Sequence, residues 1–100
     1  MMLVHFHSEA EAEMTEAAAY YEAQQASLGR RFLTSVQDAI NRIRINPLLF
    51  PVVEFDVRRC RTKTFPFDIL FQILSDELVV VAVMHLHRNP EYWKSRRGEM

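Results

Sequence analysis

The chain opens with Leu3-Val4-His5-Phe6-His7, an apolar–polar alternation that reads as a short β-strand. Ser8 follows, three residues before Glu11. That spacing is an S-x-x-E capping box, in which each side chain accepts from the other residue's backbone N–H, and it predicts a helix start. The helix is expected over about residues 9–25. Ala10, Met14, Ala17, Ala18 and Tyr21 form one apolar stripe at helical spacing, with Glu9, Glu13 and Glu16 opposite. Gly29 is expected to supply a positive-φ residue in the turn that follows. A second helix is expected over about residues 30–45, with Phe32, Val36, Ala39, Ile40 and Ile43 as its stripe. Asn46-Pro47 ends it, because proline drives the preceding residue away from helical dihedrals. So short a connection makes the two helices an antiparallel hairpin.

The pattern then changes period. Residues 57–64 are rich in β-compatible side chains, and Phe67, Ile69, Phe71 and Ile73 alternate on one face of a strand. Ser75-Asp76-Glu77 reads as a turn. Residues 78–86 are apolar on both faces and predict a central strand covered on both sides. Residues 88–100 read as a polar C-terminal tail, with Tyr92 and Trp93 as its anchors. The order is β-α-α-β-β-β. It predicts an α+β fold in one domain over residues 1–100, a helical hairpin packed on a mostly antiparallel four-stranded sheet.

Composition narrows the class. The 100 residues are 49% hydrophobic and 25% charged, which describes an ordinary globular chain rather than a disordered one. Cys60 is the only cysteine, so no internal disulfide forms, and a reducing, cytoplasmic compartment is expected. No apolar run approaches the roughly 20 residues of a membrane helix, and no secretory signal is visible. The net charge of −1 conceals an asymmetry. Residues 1–27 carry five Glu and no Lys or Arg, whereas residues 28–65 carry seven Arg and one Lys against three acids. That central basic stretch suits a phosphate backbone or an acidic partner, and equally a surface whose arginines pair with the Glu-rich helix.

Other chemistry is sparser. His5 and His7, and again His85 and His87, form H-x-H pairs with side chains about 7 Å apart along a strand, a spacing some metal sites use. No carboxylate or cysteine supplies an evident third ligand, so no metal is expected. Cys60 has basic neighbours, which favour a thiolate, but no matching His/Asn set accompanies it. With Gly29 and Gly98 the only glycines, a glycine-rich phosphate loop is excluded, and no cofactor is expected.

Several motifs in fixed order resemble one family. They are A-x-x-Y-Y-E (Ala17, Tyr20, Tyr21, Glu22), L-G-R-R-F (Leu28 to Phe32) and N-P-L-L-F-P (Asn46 to Pro51). F-P-F-D-I-L-F (Phe65 to Phe71) and M-H-L-H-R-N-P-E-Y-W-K-S-R (Met84 to Arg96) complete the set. Together they resemble the RelE/ParE toxin superfamily of bacterial type II toxin–antitoxin systems, of the plasmid-stabilisation type, over nearly the whole chain. The resemblance implies a small growth-inhibiting toxin with a cognate antitoxin as partner.

The superfamily divides by mechanism. ParE-like members inhibit DNA gyrase by binding, whereas RelE-like members are ribosome-dependent mRNA endonucleases. Metal-free RNA cleavage needs a base, cations for the crowded phosphate and an acid. If the chain is a nuclease, Arg61, Arg88 and Tyr92 are the candidates, with Arg59 and Lys63 alternating beside Arg61. Arg88 is suited to clamp a phosphate, and Tyr92 to donate a proton, though a phenol is a poor base at neutral pH. Arg58, Arg59 and Arg61 are the candidate partner-binding residues, expected to face acidic residues of an antitoxin segment whose apolar anchors fill a groove between the hairpin and the sheet. The mild net charge and the absence of a general base favour the ParE-like, non-enzymatic reading, with gyrase as target. The ribosome with its mRNA is the alternative, and a degenerate homologue that retains only antitoxin binding is a second.

Overall fold

The computed structural model describes residues 2–97. β1 (Leu3–Phe6) leads into α1 (Ser8–Gln24) and, after a tight turn, α2 (Leu28–Ile45). A 3-10 turn at Pro47–Leu49 precedes β2 (Val52–Glu54), β3 (Val57–Arg61), β4 (Phe67–Leu74) and β5 (Glu77–His85). One sheet results, in the order β1-β5-β4-β3-β2, with β1 parallel to β5 and the other neighbours antiparallel. The expected four strands are therefore five. β2 has three residues, set between Pro51 and a turn in which Phe55 takes a φ of 55°. A strand that short carries no readable alternation.

The start of α1 differs from the expected capping box. Ser8 is already helical, and His7 is the cap, its Nδ1 accepting from the Glu9 N–H at 3.1 Å. The sheet supplies the reason. The His7 N–H donates to the Val80 carbonyl at 2.9 Å, which extends the β1–β5 ladder and fixes a buried imidazole beside the first helical turn.

The hairpin turn revises the role of Gly29. The left-handed residue is Ser27, with φ 73°, and Gly29 lies inside α2, which begins two residues earlier than expected. A Cβ at Gly29 would stand 2.4 Å from the Ala18 carbonyl oxygen, so glycine is needed there for the close approach of the helices. Glu22 accepts from the N–H groups of Ser27 (2.8 Å) and Gly29 (3.0 Å), satisfying donors that the start of α2 would leave orphaned. Those backbone hydrogen bonds hold the Glu22 carboxyl below the usual range. The sequence motifs thus meet in space. Tyr21 packs its ring 5.3 Å from Phe32 and 5.0 Å from Phe65.

The sheet separates two cores. Toward the helices lie Phe32, Val36, Ile43, Ile69 and Phe71, as the predicted stripes require. β5 is buried on both faces. Leu70 pairs with Ala82 but Phe71 with Val80, so Val81 is an extra residue in β5, a β-bulge. Val81 and Ala82 therefore both join the far core, whereas Val80 and Val83 join the helix-side core. Residues 88–97 are not a free polar tail. They fold across the far face, where Trp93 is 2% exposed against a core that includes Val57, Leu70 and Val79. Truncating so buried an indole costs about 3–5 kcal/mol. Residues 98–100 of the expected tail lie outside the described residues. Among the described residues, no helix is long and apolar enough to cross a membrane.

Candidate functional site

Strand alternation divides the arginines of β3. Cys60 faces the helices and Val57 the far core, so Arg58 stands on the helix side, with Arg59 and Arg61 on the far side. Arg58 donates to the Phe50 carbonyl at 2.7 Å. Arg61 pairs with Asp68, its register partner on β4, through Nε to Oδ1 at 3.0 Å. Hydrogen bonding to Asp68 raises the Arg61 pKa, which keeps the guanidinium charged. Arg59 lines a far-face cleft of about 340 Å³ with Asp68, Leu70, Met84, Trp93 and Lys94. The three candidate partner-binding arginines therefore do not form one patch. Lys63 lies beyond the end of β3, where its carbonyl accepts from Ser35 Oγ at 2.7 Å.

The nuclease candidates are likewise divided. Arg88 and Tyr92 meet, with the Arg88 guanidinium carbon 4.1 Å from the ring centroid. Arg96 approaches the same ring at 4.9 Å. Arg61 makes no hydrogen bond, ion pair or ring contact with either Arg88 or Tyr92. The Tyr92 hydroxyl is buried beside the Glu13 carboxylate. Burial, and then the Glu13 carboxylate nearby, push its pKa far above the ordinary phenol value. The raised pKa keeps this phenol protonated at neutral pH, so it is no base there.

Sequence reasoning placed Glu13 on the polar side of α1, but it turns inward. It accepts from the Val83 N–H at 3.0 Å and holds Arg96 through both oxygens, at 3.1 and 2.9 Å. Burial opposes the Arg96 charge, and the Glu13 carboxylate more than offsets it, so the guanidinium pKa is raised. Only the spacing of Glu13 from Ala10 and Ala17, about one turn away on either side on the buried stripe, hinted at this.

The histidines do not cluster. His5 lies opposite Val79 and pairs with Glu77 at 3.1 Å, whereas His85 is six residues further along β5, roughly 20 Å away. His7 is committed as the cap of α1, and His85 Nδ1 accepts from the His87 N–H. Among the described residues, no group of three His, Cys, Asp or Glu side chains is placed to hold a metal ion. The Cys60 thiol is buried near the Ala39 carbonyl, and burial pushes its pKa up, away from the thiolate.

A surface feature that sequence reasoning did not single out lies at the free edge of the sheet. Ile45, Leu48, Leu49, Val52, Val53 and Phe55 are all exposed, within eleven residues that end one residue past β2. Isolated exposed apolar residues are ordinary, but a concentration beside an unpaired strand edge marks an interaction surface. Arg97 stacks over Phe55 at 3.7 Å and gives that surface a basic rim.

Comparisons with known proteins agree with this geometry. Residues 4–90 match the family described as the ParE toxin of the type II toxin–antitoxin system, parDE. No curated protein matches the chain. A solved chain of the chromosomal ParDE toxin–antitoxin system from P. aeruginosa has a similar fold, with a TM-score of 0.65 at 17% identity. The match covers 87% of this chain and 98% of that one. With the family match spanning most of its length, the chain belongs to the ParE toxin family of type II toxin–antitoxin systems.

Proposed function

We propose that this chain arrests growth by binding a cytoplasmic target, DNA gyrase, without chemistry of its own, and that a cognate antitoxin neutralises it. The observation that carries the reading is the state of Tyr92. Its hydroxyl is buried beside the Glu13 carboxylate, with a strongly raised pKa, and Arg61 is committed to Asp68 instead of joining Arg88. A ribonuclease needs a proton-transfer group near neutrality beside its phosphate clamp. The exposed apolar run from Ile45 to Phe55 supports antitoxin docking, because an extended segment there gains both a strand edge and apolar anchors.

Two measurements on the induced, full-length chain test the reading. Purified gyrase should lose supercoiling activity when the chain is added and regain it with antitoxin. Primer extension on cellular mRNA should show no new ends. Codon-linked cuts in mRNA with intact gyrase activity would overturn the proposal in favour of the nuclease alternative. The contact between Arg88 and Tyr92 is the one feature that favours that alternative.

A further inference from the structure

A cleft of about 410 Å³ opens between α2 and the connection from β3 to β4, walled by Arg30, Arg31, Thr34, Lys63, Thr64 and Phe65. Most basic side chains elsewhere are already occupied. Arg42 holds Asp38, Arg61 holds Asp68, Lys94 bridges Glu54 and Glu91, and Arg96 holds Glu13. In the cleft the balance differs. Among the described residues, the side chains of Arg31 and Lys63 make no hydrogen bond, ion pair or ring contact. Arg30 has only an unbonded electrostatic neighbour in Glu22. Asp38 also lines the cleft, but its charge is committed to Arg42.

The walls are fixed relative to each other. The Ser35 hydroxyl donates to the Lys63 carbonyl at 2.7 Å and ties the connection to α2. Thr64, the next residue, has a φ of 76°, a conformation that a β-branched side chain resists and that clusters at functional sites. The Thr34 and Thr64 hydroxyls add donors beside the cations.

We propose that this cleft binds a compact ligand with two or more linked phosphates, of the nucleoside di- or triphosphate class. Its volume lies within the range of small-molecule sites. The cations come from both walls, which spreads positive charge across the opening and suits a chain of phosphates better than a single point charge. Guanidinium forks and hydroxyl donors match phosphate oxygens. A nucleic-acid backbone is less well matched, because Arg30, Arg31 and Lys63 gather in one compact cleft and the whole chain carries a net charge of −1. The proposal is independent of the toxin's target.

The test is a titration of the full chain with inorganic pyrophosphate, ADP, orthophosphate and adenosine, followed by backbone amide shifts. Pyrophosphate and ADP should shift residues 30–38 and 63–65 in a saturable way. Orthophosphate should bind at least tenfold more weakly, and adenosine should have no effect. Arg31→Ala and Lys63→Ala should each weaken pyrophosphate about tenfold, as expected for a lost charge-assisted hydrogen bond. Arg59→Ala, on the far face, should leave binding unchanged. Absence of saturable shifts at millimolar pyrophosphate and low salt would overturn the proposal. So would equal weakening by Arg59→Ala, or an affinity for single-stranded oligonucleotides that rises with their length.

Discussion

Glu13 and Arg96 form a two-pronged ion pair that completes the edge of β5 where β1 stops. The β1 ladder ends with His7 donating to the Val80 carbonyl. Just beyond, the Val81 carbonyl accepts from Arg96 at 3.0 Å and the Val83 N–H donates to Glu13 at 3.0 Å. Two side chains thus do for the bulged end of β5 what a longer β1 would have done. They also tie α1 to the C-terminal segment.

Glu13→Ala should therefore destabilise the protein by about 3–5 kcal/mol, because it leaves a buried guanidinium with only the more distant Glu9 carboxylate, 3.8 Å away, to balance it. Replacing Arg96 as well, as Glu13→Ala with Arg96→Leu, should recover a large part of the loss. Urea denaturation midpoints of the single and double variants provide the check. A double variant as unstable as the single one would show that the pair acts mainly through Val81 and Val83.

Glu22 gives the stability a defined acid dependence. Its folded pKa lies below the unfolded value, so its contribution is fully present above the unfolded value and is lost as the pH falls through the folded one. Melting temperatures at about pH 6 and about pH 3 should drop less for Glu22→Gln than for the unmodified chain. Equal drops would remove Glu22 from the acid response.

Gly29→Ala tests the close approach of the helices. The added methyl meets backbone, the Ala18 carbonyl, and overpacking of this kind costs about 1–3 kcal/mol. The better helix propensity of alanine returns only about 0.5–1 kcal/mol. The variant should melt at a lower temperature, and a higher one would mean that the hairpin opens at no cost.

Tyr92→Phe should fold nearly as stably as the parent, since the ring stays buried and only the hydroxyl's contact with Glu13 is lost. It should also retain growth arrest at matched expression, because the ring keeps its contacts with Arg88 and Arg96. A Tyr92→Phe protein that folds and binds antitoxin but no longer arrests growth would restore the nuclease reading.

The apolar edge provides the partner test. Leu48→Asp combined with Leu49→Asp alters two side chains that are 68% and 75% exposed, so stability should change little. Antitoxin affinity should fall at least about tenfold if these residues anchor it. Unchanged affinity in a binding titration would exclude this surface as the docking site.

The elements that local periodicity specifies were legible in the sequence. The stripe of α2 and the alternation of β4 appear where the apolar residues repeat, because each element buries one face against the same sheet–helix interface. What escaped depends on pairing between distant residues. The His7 cap needs Val80, the inward turn of Glu13 needs the bulge in β5, and β2 exists only because β3 pairs with it. The candidate site shows the same division. Arg88 and Tyr92 are close in sequence and meet, whereas the neutralisation of Arg61 and Arg96 rests on Asp68 across the sheet and Glu13 at the far end of the chain.

The parallel pairing of β1 with β5 also governs the order in which the molecule is completed. Leu3 through Phe6 find their partners at Glu77 through Val80, so this contact closes a loop over most of the chain. On the ribosome, the helical hairpin is made well before β4 and β5, the central strands on which it lies. Its apolar stripe therefore waits in solvent, or on a chaperone, until the last quarter of the chain emerges. Trp93 and Arg96 come later still. A nascent or truncated chain that stops before residue 77 retains its first strand without a neighbour, and the sheet is finished only once β5 is made.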